Sequence, residues 1–140
     1  MKIQFYNEDT PKFDWDSQLT KSYLISLIEM EGKKPGDITV IFCSDKYLLQ
    51  LNMEHLDHDY YTDIITFDYC ENDIISGDIF LSIDRIRDNA VKYNIGFYIE
   101  LYRVVFHGVL HLIGYKDKTP EEKNEMRGKE DYFLKKLLKN

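Results

Sequence analysis

The run from Phe97 to Ile113, F-Y-I-E-L-Y-R-V-V-F-H-G-V-L-H-L-I, limits the possible folds more than any other stretch of the chain. It is long and strongly apolar, with too weak a polar face for a helix lying on a surface. It therefore predicts a helix buried on more than one side, with Leu101, Val104, Val105, Val109 and Leu112 among its core residues. Gly114 stands just past its end, where a left-handed residue closes a helix. Such a helix needs other layers to cover it.

The rest of the chain supplies them. Lys2 to Tyr6 reads as a first strand, followed by a turn through Asn7 to Pro11. Leu19, Tyr23, Leu24, Leu27 and Ile28 recur at helical spacing, and Gly32 and Pro35 end that helix. Asp37 to Cys43 is β-branched and nearly all apolar, a central strand. Ser44 or Asp45 caps a second helix whose apolar face carries Leu48, Leu49 and Leu51. Thr62 to Phe67 and Gly77 to Ile83 are two further core strands. Their short separation, with turn residues Glu71, Asn72 and Asp73, predicts an antiparallel hairpin. Ser82 caps a helix carrying Ile83, Ile86, Ala90, Val91 and Tyr93, broken at Asn94 to Gly96. Thr119-Pro120-Glu121-Glu122 opens a last helix with Met126, Tyr132, Phe133 and Leu137 on its apolar side. The expected fold class is α+β: a mixed sheet of about four strands layered with about five helices, forming one domain over residues 1–140.

The formal charge is -7 and the pI near 5.0, which gives no support to broad electrostatic binding of nucleic acid. A local basic groove, or a metal that brings its own charge, is compatible with that balance. Cys43 and Cys70 match no zinc or redox spacing and read as free thiols of a reducing compartment. No stretch has the length of a membrane span or a signal peptide, so the expected location is cytoplasmic.

His107 and His111 lie four residues apart in the apolar run, on one helix face, with Cβ atoms about 5–6 Å apart. The turn at Gly114 brings Tyr115 to Asp117 back beside that face. The spacing H-x3-H-x5-D is that of a three-ligand metal site, and three protein ligands plus water is the usual arrangement of catalytic zinc. Gly108, between the histidines, permits a close approach by a neighbouring element. In the metalloprotease pattern H-E-x-x-H the residue after the first histidine is the base. Here it is Gly108, so a base must come from elsewhere or from metal-activated water. A purely structural metal fits the same spacing.

H-G-V-L-H-L-I-G-Y, with T-D-I-I-T-F, G-D-I-F-L-S and L-N-x-x-H near residue 51, resembles the YbeY family over about Asp37 to Met126. These are metal-dependent endoribonucleases of bacterial ribosomal RNA maturation, with a mixed four-stranded sheet layered with helices. The resemblance implies zinc at His107 and His111. The family's third zinc-binding histidine falls at Asp117, and Lys116 stands at its usual aspartate. A carboxylate is a legitimate zinc ligand, though a site with one more negative charge implies a less acidic bound water. Leu56 falls at the arginine that the family uses in substrate handling, which removes a phosphate-clamping fork, and His58 falls at its lysine.

His58 is accordingly the first candidate for an auxiliary catalytic or RNA-contacting group, with His55 behind it. Asp63 is placed to orient a loop or hydrogen-bond a metal ligand, and Asp78 invites the same reading. Arg85, Arg87, Lys92 and Arg103 read as ordinary solvated helix surface. Lys129, Lys135, Lys136 and Lys139 alternate with Glu130 and Asp131, so they make no basic patch. Tyr60 and Tyr61 are available either for stacking on bases or for local packing. The resulting expectation is a zinc-dependent, single-strand-selective endoribonuclease whose partners are ribosomal RNA or its precursors and the ribosome or its proteins. The rival expectations are a non-catalytic, zinc-stabilised ribosome assembly factor and a metal hydrolase of another phosphoester.

Overall fold

The computed structural model describes residues 1–56 and 62–138, and the Leu56 side chain falls outside that description. The order of elements is β1 (Lys2–Asn7), α1 (Ser17–Met30), β2 (Lys34–Cys43), α2 (Asp45–Leu56), β3 (Ile64–Asp68), β4 (Ile74–Ser82), α3 (Ile83–Lys92), α4 (Phe97–Ile113) and α5 (Pro120–Leu137). The four strands lie in the order β1-β2-β4-β3. β1 and β4 flank β2 in parallel, while β3 closes the other edge antiparallel to β4. The sheet is therefore mixed, and the expected hairpin is present, with Asn72 at φ 54 in its turn.

Strand alternation sorts the side chains between two faces. Ile38, Val40 and Phe42 of β2 and Ile75, Ile79 and Leu81 of β4 join the main core, beneath α1, α3, α4 and α5. Cys43 and Ile65 point the other way and pack with Leu48 of α2, with Phe67 and Phe80 partly covered beside them. Helices thus cover both faces, and α4 lies against the sheet with other helices on its far side.

That position explains the composition of α4. Leu101, Val105, Phe106, Val109 and Leu110 are fully buried around its circumference. Each such side chain contributes about 1.5–3 kcal/mol relative to an exposed position. Gly108 lets the helix settle onto the β3–β4 hairpin: a Cβ there would lie 2.8 Å from Ile64 Cδ1 and 2.9 Å from Ile79 Cγ2. Gly114 closes the helix at φ 127, a conformation that side chains resist, with its N–H bonded to the carbonyls of Leu110 and His111.

The expected caps of α2, α3 and α5 are found at Ser44, Ser82 and Thr119, the last as a full capping box with Glu122. Two expectations are corrected. β2 begins at Lys34, before Asp37, because a register shift between Pro35 and Ile38 absorbs the proline that otherwise reads only as a breaker. Val91 is 82% exposed and Tyr93 is exposed, since α3 turns only its Ile83, Ile86 and Ala90 face toward α4. Among the described residues, no helix is long and apolar enough to cross a membrane.

Candidate metal centre

Two consecutive turns at the C-terminal half of α4 carry His107 and His111, and the chain reversal at Gly114 returns Asp117 to them. The Asp117 carboxylate lies between the two imidazoles, Oδ2 at 3.2 Å from His107 Nε2 and Oδ1 at 3.5 Å from His111 Nε2. The ring centroids are 4.6 Å apart, and one donor atom from each of the three residues falls within 4.8 Å of the others. Nitrogen-to-oxygen separations of this size match the edge of a tetrahedron with bonds of roughly 2.0–2.1 Å, the zinc–histidine distance. Among the described residues, no other histidine, cysteine or acid joins this cluster.

Each imidazole is oriented through its other nitrogen. His111 Nδ1 is 3.0 Å from the Tyr115 carbonyl, which only accepts, so Nδ1 carries the proton and Nε2 is left with its lone pair. His107 Nδ1 is 2.6 Å from Glu130 Oε2 on α5. Glu130 is held in turn by Arg103, whose Nη1 is 3.2 Å from Glu130 Oε1 and 2.8 Å from Asp131. Tyr115 is also fixed from outside the turn: its hydroxyl donates to Glu31 at 2.5 Å, and Lys129 bonds Glu31 at 2.9 Å.

These neighbours drive the titration of the two histidines apart. Burial works against the charged form of both. At His107 the hydrogen bond and charge of Glu130 outweigh burial and raise the pKa above its ordinary 6.5. At His111 burial and the adjacent His107 prevail and lower it. Asp63 lines the same cleft as His107, Asp117 and Glu130, and burial raises its carboxyl pKa despite the nearby His107.

The structure brings together the three residues of H-x3-H-x5-D and places Asp63 beside them. It leaves His55 exposed, edge-on to Phe67, and Asp78 mid-strand in β4 between Thr39 and Phe67. His58, Tyr60 and Tyr61 lie outside the described residues, as does Lys139. Arg87 is exposed and stands over Phe97, in keeping with a surface role, whereas Arg85 is only partly exposed and pairs with Asp45. Arg103 is corrected: only 17% of its side chain is exposed, because it neutralises acids beneath the site. Glu130, read from the sequence as one charge in an alternating tail, is buried. Its signal was its helical phase, since Met126, Glu130 and Phe133 share one face of α5 and the two apolar members are core residues.

Comparisons with known proteins agree with this architecture. The sequence model of a family described as "Endoribonuclease YbeY" matches residues 2–138. An Endoribonuclease YbeY of Parabacteroides distasonis is 44% identical over 96% of this chain and 94% of its own length. One of Cytophaga hutchinsonii is 50% identical, over 94% and 93%. The solution structure of TM1509 from Thermotoga maritima superposes with a TM-score of 0.66 at 29% identity, covering 96% of this chain and 88% of that one.

Proposed function

The chain belongs to the endoribonuclease YbeY family, and on that footing we propose that it cuts single-stranded RNA in ribosomal RNA maturation at a centre built on His107, His111 and Asp117. The observation that carries the reading is the convergence of two Nε2 atoms and a carboxylate, with both Nδ1 atoms already engaged. The donor set suits a divalent ion, zinc in our reading, and the absence of a fourth protein ligand among the described residues favours an open catalytic position over a closed structural one. When bound, such an ion supplies Lewis-acid stabilisation of phosphate charge and a water acidified toward neutrality.

The protein's own groups hold and aim the donors. Glu130 and the Tyr115 carbonyl turn both Nε2 atoms toward Asp117, and Arg103 keeps Glu130 in place. We assign proton transfer to the Asp63 carboxyl, whose raised pKa brings it nearer the pH at which it can exchange a proton during phosphodiester cleavage. His58 keeps the auxiliary phosphate-contacting or proton-moving role that its sequence position suggests. The substrates are ribosomal RNA or its precursors, the partners the ribosome or its proteins, the location the cytoplasm, and the working unit one domain over residues 1–140.

The test pairs metal content with cleavage. His107→Ala and His111→Ala should each lose bound metal and single-stranded RNA cleavage together. Protein that retains its full rate after stringent metal removal would overturn the reading. Accumulation of unprocessed ribosomal RNA on depletion of the protein checks the substrate, and normal processing would count against it.

A further inference from the structure

The three candidate ligands stand at the junction of two clefts. One, of about 250 Å³, runs between α3, α4 and α5 and is lined by His107 and Asp117 together with Tyr93, Lys123 and Arg127. The other, of about 420 Å³, is lined by His111 and Asp117 together with Lys116 and Lys118. Asp117 is common to both. Each cleft is therefore lined by part of the triad and by a pair of these cations.

Those cations are available. Lys116, Lys118 and Lys123 are exposed and make no ion pair among the described residues, and Arg127 is 57% exposed with only a 3.6 Å contact to Glu130. Three of the acids nearby also have other partners. Arg103 holds Glu100 and Glu130 on the inner side of the first cleft. Glu122, in the second cleft, accepts from the backbone N–H groups of Lys118 and Thr119 as part of the α5 cap, and its charge also attracts Lys116. The first cleft is lined by four acids and three bases and the second by two of each, so the cationic pairs stand among acids rather than in a positive field.

An endonuclease cuts an internal bond, so its substrate must leave the centre on two sides. We propose that single-stranded RNA straddles the triad, its backbone running through both clefts, with phosphates on one side of the scissile bond held by Lys116 and Lys118 and those on the other by Lys123 and Arg127. Tyr93, exposed and lining the first cleft, has Lys92 Nζ 5.5 Å from its ring centroid and offers the opposite face for a base on that side. This rests on the reading of the chain as an endoribonuclease and deepens it by assigning a path to the substrate.

The experiment measures binding of a short fluorescein-labelled single-stranded oligoribonucleotide to metal-free protein by anisotropy, across a series of salt concentrations. Cleavage by the zinc-loaded protein is followed in parallel. The variants are Lys116→Ala with Lys118→Ala, Lys123→Ala with Arg127→Ala, and a control, Lys12→Ala with Lys21→Ala, in a separate cleft beside β1 and α1. Circular dichroism checks that these surface changes leave the fold intact. Losing two phosphate contacts to a single strand should reduce the slope of log K against log salt by about 1.4 and weaken binding about 25-fold at 0.1 M salt. Both cleft pairs should do so, additively, while the control stays at wild type. An effect from one pair alone would overturn the straddling path, as would unchanged slopes in both with a cleaving wild type. In those cases the endoribonuclease reading stands. A wild type that binds and cleaves no single-stranded RNA overturns both.

Discussion

At His107 the carboxylate of Glu130 more than offsets the effect of burial, while at His111 nothing of equal strength does. In the metal-free protein His107 should titrate above 6.5 and His111 below it, which proton NMR of the two rings measures directly. Their effects on stability have opposite signs. The contribution of His107, whose folded pKa is raised, is complete below the unfolded value and is lost as pH rises through the folded one. The contribution of His111, whose folded pKa is depressed, is present above the unfolded value and is lost as pH falls through the folded one. Glu130→Gln should bring the His107 titration down and weaken metal binding about 10–100-fold, as loss of an outer-shell partner does, measured by competition with a chromophoric chelator. Asp63→Asn should reduce kcat by about 10²–10⁴ with metal content unchanged, and should remove one limb of the pH–rate profile. An unaltered profile would strip Asp63 of the proton-transfer role.

Among the elements, α4 was the most legible. An apolar run with two histidines four apart left few alternatives, and Gly114 marked its end in advance. The burial of Gly108 against Ile64 and Ile79 makes a sharp demand on that helix. Gly108→Val should destabilise the protein by about 1–3 kcal/mol in denaturant unfolding, because two branched side chains on the sheet must move to admit it. The start of α5 was legible for the same kind of reason: a capping box is local chemistry, written in four consecutive residues. What escaped was non-local. Glu130 meets His107 only when α5 docks on α4, and Arg103 becomes an internal cation only because Glu100 and Glu130 close around it. The Glu31–Tyr115 bond joins residues too far apart in sequence for any spacing to announce. Val91 misled for the converse reason, since an apolar residue on an amphipathic helix face can still be left facing solvent.

For the whole molecule, the metal should act as a fold stabiliser as well as a reagent. Free zinc at about 100 times its Kd would add about 2.7 kcal/mol, or roughly 10 °C in Tm for a chain of this size, and chelation should reverse it. The double variant His107→Ala, His111→Ala should show no such shift in a thermal melt with and without zinc. The sheet supplies the rigid floor for this centre, with β2 and β4 at its middle and α4 pressed on their inner face. That placement of α4 also orders events in time. A chain emerging from the ribosome presents β1 to β4 with α1 and α3 first, but their inner face is fully covered only when α4 follows. The event that closes the core also sets the two histidines side by side. Their supports come later still, with Asp117 in the turn and Glu130 on α5. If His107, His111 and Asp117 are the cutting centre, a nascent chain should gain RNA cleavage only once α5 has docked Glu130 on His107, which C-terminally truncated chains ending before α5 would test.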